Sequence, residues 1–169
     1  MASTDNPSSI RNNQSTKRPT VVLGLGNPLM ADEGIGVCLV ERLAESLLDY
    51  PDVDFLDAGT GGLAVLHHMA GRRKAILVDC AYMEQEPGAI RRFSPDDVRS
   101  KKVLAHQSLH DADLLRIIGM ARELGQAPEE IVIFGIQPEL IEFRQGLSVT
   151  LANGIDRCLA AIRAELDAQ

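Results

Sequence analysis

The run VVLGLGNPLMADEGIG, Val21 to Gly36, constrains the fold more than any other stretch of the chain. An apolar strand, Thr20 to Leu25, runs into Gly26-Asn27-Pro28. Proline disfavours helical geometry in the residue before it, so the chain must turn there. Beyond the turn Val37, Val40, Leu43, Ala44, Leu47 and Leu48 recur at helical spacing and predict an amphipathic helix from Gly34 to Tyr50. The same alternation continues. Val53 to Leu56 reads as a short strand ending in DAGTGG, Leu63 to Met69 as a small helix, and Ala75 to Val78 as a third strand closed by Asp79. Pro87-Gly88 is a turn into a strand from Ala89 to Phe93, expected at an antiparallel edge. Leu114, Ile117, Ile118, Ala121 and Leu124 form a helical stripe stopped by Gly125. Ile131 to Ile136 is a last buried strand, and Thr150 to Leu166 a closing helix with Ile155, Leu159 and Ile162 inward. Such alternation predicts a single three-layer α/β domain over residues 20–169, its twisted, mostly parallel sheet of about five strands flanked by helices.

The opening residues, 1–19, are rich in Ser, Asn, Thr and Pro and cannot bury enough surface to fold, so a disordered polar tail is expected there. They contain no apolar core of a secretory signal, and no apolar run approaches the ~20 residues that span a bilayer. A net charge of −7 argues against a broad nucleic-acid footprint. The three cysteines, Cys38, Cys80 and Cys158, show no CxxC spacing and sit in apolar contexts. Buried, reduced thiols in a cytoplasmic protein follow, with Cys80 bordering any crevice beside Asp79. A monomer without nucleic-acid or membrane partners is expected.

In an open α/β sheet the carboxyl ends of the strands face one crevice, where ligands bind. Glu33 and Asp32 lie in the loop after the first strand, Asp79 ends the third, and His110 opens a helix in SLHDADLL. One imidazole and two carboxylates suit a borderline divalent ion such as nickel or zinc. The plainer readings compete. Asp32 or Glu33 could simply favour a helix N-terminus, and Asp79 could be a turn acid just beyond its strand. Among the four histidines, His67 and His68 occupy different faces of a short helix. His106 and His110 are spaced as in HExxH, but Gln107 replaces the general-base glutamate, which removes the zinc-protease reading. His110 leads and His106 is the alternative.

Other chemistries fit less well. A dinucleotide fingerprint would need glycine at Leu29, although Asp57 stands near the place of a ribose-binding acid. GLGNP resembles the opening of bacterial peptidyl-tRNA hydrolase over five residues only, and no histidine precedes His67. A peptidyl-tRNA-hydrolase-like or nucleotide-binding α/β protein is the alternative reading. There is no GxSxG nucleophile elbow, and no cysteine has a cationic setting.

Five segments in register, GLGNPLMADEGIG, LDAGTGG, ILVDCAYMEQEPGAIRRF, SLHDADLL and IVIFGIQPE, resemble the hydrogenase maturation proteases from Val21 to about Arg163. That resemblance implies a nickel-dependent endopeptidase that removes the C-terminal extension of a nickel–iron hydrogenase large-subunit precursor after nickel insertion. It also implies that Glu33, Asp79 and His110 are the metal-binding and catalytic positions. The nickel would be carried by the substrate. Asp57, Gly59 and Thr60 of DAGTGG, with Gln137, are the candidate substrate-binding residues.

Overall fold

A computed structural model of the chain describes residues 17–100 and 109–168. Strands β1 (Thr20–Gly24), β2 (Val53–Asp57), β3 (Lys74–Cys80), β4 (Ile90–Phe93) and β5 (Glu130–Ile136) form one sheet in the order β2-β1-β3-β5-β4. All neighbours pair parallel except β4, which runs antiparallel to β5 at the edge. The edge strand arises because the chain turns at Pro87-Gly88 after β3 and comes straight back, without a crossover helix.

Alternate residues along each strand serve opposite faces. Val22, Ile76, Val78, Val132 and Phe134 pack with α1 (Ile35–Ala44) and α5 (Val149–Asp167). Val21, Leu23, Ala75, Leu77 and Ile133 pack with α2 (Leu63–Met69) and α4 (Leu109–Glu123). The result is the expected three-layer α/β arrangement. The chain leaves β1 for β2 on one side, then crosses back to β3 on the other. The loops after β1 and β3 therefore diverge over one crevice, at the switch in strand order.

Two expectations need correction, and two local features add to them. The first helix stops at Ala44, because Glu45 and Ser46 donate to the carbonyls of Arg42 and Leu43 and tighten the chain into a 3-10 turn at Leu47–Asp49. Leu48 then stands 96% exposed and belongs to no inward stripe. β3 runs to Cys80, so Asp79 is inside the strand and not beyond it. A short helix, α3 (Pro95–Ser100), has no apolar periodicity to announce it. Its signal is Ser94, whose hydroxyl accepts from the Asp97 N–H while the Asp97 carboxylate accepts from the Ser94 N–H, a reciprocal cap. Finally, the described residues that lead into β1 are bonded to the domain. The Pro19 carbonyl accepts from the N–H groups of Arg73 and Lys74, and Lys17 reaches the carbonyls of His67 and Ala70 at the end of α2.

Candidate active site

Close backbone packing puts the 31–36 segment on the ends of β1 and β3. A Cβ on Gly36 would lie 2.2 Å from the Val78 carbonyl oxygen and 2.3 Å from that of Leu25. Gly26 has φ +121°, and a Cβ there would fall 1.8 Å from the Glu33 carbonyl oxygen. Only hydrogen fits at either place, so the two glycines of GLGNP and EGIG let the turn rest directly on the strands. Leu25 N–H donates to the Val78 carbonyl at 2.8 Å and extends the β1–β3 ladder by one bond.

Asp32 holds this turn from the other side. It is fully buried, and its carboxylate accepts the N–H groups of Glu139 and Leu140 at 2.9 Å and of Ser148 at 2.7 Å. Charge-assisted bonds from backbone donors satisfy the carboxylate without any cation. They also stitch the segment after β5 to the turn, helped by Ala31 N–H to the Arg144 carbonyl and Arg144 N–H to the Leu29 carbonyl. Ala31 itself has φ +50°, a conformation that a non-glycine residue keeps only where surrounding bonds impose it. Of the two neighbouring acids, Asp32 is thus the structural one. Glu33, half-buried, is left at the rim.

Asp79 is the penultimate residue of β3, 4% exposed, opposite Gly135 of β5. Its Oδ1 accepts the Cys80 N–H at 2.8 Å. Strand alternation puts it on the face that carries Leu77, the side of α2 and α4, while Cys80 packs buried on the α1–α5 side. α4 runs back along the sheet. Its last turn leads into Glu130, whose N–H bonds to Arg73 at the amino end, and 15 helical residues span about 22 Å. The first turn of α4, with His110 as its second residue, is therefore directed toward the carboxyl end. The His110 side chain and all of His106 lie outside the described residues. Among the described residues no three His, Cys, Asp or Glu side chains gather as a metal-holding group.

Two neighbouring loops complete the rim. Asp57 is exposed and its Oδ1 accepts the Gly59 N–H at 2.7 Å; the Gly59 carbonyl in turn accepts the Gly26 N–H at 2.8 Å. DAGTGG is thereby fastened to the GLGNP loop, with Thr60 exposed at its tip. Gln137 is 7% exposed, and its side-chain oxygen accepts the N–H groups of Met83 and Gln85, so it shapes the loop after β3. That loop presents Tyr82, which the sequence reading passed over. Partial burial raises the Tyr82 phenol above its ordinary pKa, and electrostatic repulsion of a phenolate by Cys80, Glu33 and Asp32 raises it further. Tyr82 hence shares the electrostatic surroundings of Glu33. On the other side of the turn a groove of about 280 Å³ opens between α1 and α5, lined among others by Pro28, Ala31, Cys38, Leu147 and Ile155.

The family model described as hydrogenase maturation protease matches residues 37–165, more than half of the chain. The chain belongs to the hydrogenase maturation protease family, a family of peptidases. The hydrogenase expression/formation protein HupD of Rhodobacter capsulatus is 35% identical over 149 residues, which cover 88% of this chain and 71% of that protein. HoxM of Cupriavidus necator is 33% identical over 122 residues, 72% of this chain but 60% of its own length, so this chain spans under two thirds of that relative. The hydrogenase maturating endopeptidase HybD from Escherichia coli superposes with a TM-score of 0.73 at 30% identity, over 88% of this chain and 92% of that one. Family membership sets aside the peptidyl-tRNA hydrolase and nucleotide readings.

Proposed function

We propose that this protein is an endopeptidase that removes the C-terminal extension of a nickel–iron hydrogenase large-subunit precursor once nickel is in place, with Glu33, Asp79 and His110 reading the nickel. The observation that supports the proposal is that each acid stands at the carboxyl end of a central strand. Glu33 is held over the ends of β1 and β3 by glycine packing, and Asp79 is buried in the end of β3 itself. Carboxylates brought together repel each other, and an arriving divalent cation relieves that cost. The cation is cargo of the substrate, held by the precursor's own thiolates. Two carboxylate oxygens and one imidazole complete its coordination, so that metal and scissile peptide arrive in one fixed geometry. Recognition of the metal and positioning of the bond are then a single event. The loops of Asp57, Gly59 and Thr60 and of Gln137 border the path of the extension. The protein works as a cytoplasmic monomer and holds free nickel only loosely, because three ligands leave the coordination sphere incomplete.

The test is incubation with nickel-loaded and nickel-free precursor, read by the mass of the large subunit, alongside elemental analysis of the isolated protease. The expected outcome is little resident metal, cleavage of loaded precursor only, and full activity after chelator treatment of the protease alone. Asp79→Asn and His110→Ala abolish processing, by more than the 10–100-fold typical of residues that merely support a ligand. His106→Ala processes normally. Tightly bound stoichiometric metal, with activity lost on chelation and restored by zinc, marks a conventional metalloprotease instead.

A further inference from the structure

The segment that Asp32 ties to the turn carries an unusual surface. Phe143 is 83% exposed and Leu29 45% exposed. Their backbones lie side by side, because Met30 and Arg144 form a parallel bridge and both apolar residues immediately precede it. The ridge is rigid. The bonds of Arg144 to Leu29 and Ala31, and those of Asp32 to Glu139, Leu140 and Ser148, fix both strands of it. Beside the ridge lies the groove of about 280 Å³, walled by residues of the same two segments, Pro28, Ala31 and Leu147, and floored by Ile155 of α5. Knob and socket adjoin each other within a few residues of Glu33.

We infer that this ridge and groove form the docking surface for the folded body of the precursor, which presents an apolar side chain to the groove and an apolar patch to Leu29 and Phe143. The inference rests on the proposed proteolytic function. Three features select this occupant. The groove falls just under the ~300–1,000 Å³ of small-molecule pockets and suits one or two side chains of a protein partner. Two exposed apolar side chains cover far less than the ~800 Å² per partner of a stable interface, which fits a substrate that must leave and not a permanent second copy. The ridge also shares its backbone with the Glu33 turn, so whatever seats on it is delivered to the rim, whereas a permanent dimer there would obstruct the rim.

The test compares Leu29→Ser, Phe143→Ser and the double variant with wild type, using the nickel-loaded precursor. Leu48→Ser, equally apolar and 96% exposed in the 3-10 turn beyond α1, serves as control. The expected result is a KM for precursor raised about ten-fold or more by the double variant, with kcat unchanged, as for loss of a docking hot spot. Direct binding of precursor to an Asp79→Asn background weakens by the same factor, and Leu48→Ser changes neither. Wild type that cleaves precursor with the same KM as the double variant overturns the docking surface and leaves the protease reading standing. Wild type that neither binds nor cleaves loaded precursor overturns both. Concentration-dependent dimerisation in sedimentation, abolished by Phe143→Ser, assigns the ridge to a second copy and also overturns the proposal.

Discussion

The two ends of the sheet bury charge by opposite means. At the amino ends, buried cations meet carboxylates. Lys74, 3% exposed, contacts Glu165 at 2.7 Å and Glu130 at 3.3 Å, and buried Arg72 pairs with Asp54 and donates to the Arg18 carbonyl. Arg92 closes the set with a 2.6 Å contact to Glu165. At the carboxyl ends two carboxylates are buried, Asp32, solvated by three backbone N–H groups, and Asp79, which accepts the Cys80 N–H, while Glu33 is half-buried. Side-chain pairing spends both partners on stability. Backbone donors solvate the Asp32 carboxylate without any cation, while the proposed function assigns the adjacent Glu33 to a cation that comes from outside. The amino end is an anchor, and the carboxyl end is, on the proposed function, a holder.

The largest effect should come from the packing that seats the holder on the sheet. Gly36→Ala puts a methyl group 2.2 and 2.3 Å from two backbone oxygens that cannot rotate away. A loss of roughly 4 kcal/mol or failure to fold is expected, beyond ordinary overpacking. Gly71→Ala, near the anchor, meets nothing within 4 Å and suffers only the strain of φ +77°, about 1 kcal/mol. Urea denaturation of the two variants checks the contrast, and equal losses would erase it.

Asp32→Asn comes next. An amide has one acceptor oxygen and turns an N–H₂ donor toward a backbone N–H, so three charge-assisted bonds cannot all survive. A loss of about 3 kcal/mol is expected, lowering Tm by roughly 6–12 °C for a chain of this size. Processing should fall even well below the new Tm, because the Glu33 turn and the ridge lose their common brace. A variant with normal processing and Tm would reduce Asp32 to a helix-start acid.

How much of this was legible follows from which interactions are local. The strands, the edge position of β4, and α2 could be read because apolar runs, periodicity and turn residues act within a few positions. The separate roles of Asp32 and Glu33 could not, since Asp32 finds its donors 107 to 116 residues away. The bracing role of Gln137 is equally non-local, since its side-chain oxygen accepts the N–H of Met83, 54 residues distant. The ion pairs of the anchor were hidden for the same reason: Lys74 and Glu165 meet only after the closing helix has docked. Asp79 was placed beyond its strand because a carboxylate in a buried strand breaks the apolar pattern, and that breach marks the candidate site.

The anchor's contribution should be the pH-sensitive one. The Arg92 hydrogen bond, opposed by burial and aided by Lys74, holds the Glu165 carboxyl below its usual pKa. A carboxyl depressed in the folded state adds stability above its unfolded pKa and loses it as pH falls through the folded value. Glu165→Gln should cost about 2 kcal/mol at neutral pH, with Lys74 left buried beside Glu130 alone. The gap to wild type should close on acidification below about pH 4, measured by denaturation at several pH values. A gap independent of pH would mean that the charge of Glu165 contributes nothing.

The smallest effect concerns where the anchor begins. Deleting residues 1–16 removes no periodic apolar residue and should leave Tm and processing unchanged. Deleting residues 1–19 takes away more than a tail. Lys17 no longer caps the carbonyls of His67 and Ala70, where a cation also meets the negative end of α2. Arg72, 7% exposed, loses the Arg18 carbonyl, and the N–H groups of Arg73 and Lys74 lose Pro19. Asp54 still pairs with Arg72, and water reaches the freed N–H groups, so the expected cost is only about 1–2 kcal/mol. Because these bonds all lie at the amino end, the loss should appear in Tm, while kcat and KM at a temperature well below Tm stay at wild-type values. Matched thermal melts and processing assays of the two truncations decide the matter. A drop in kcat for the longer deletion would show that the two ends are coupled through β3, and that the anchor helps to set the holder's geometry.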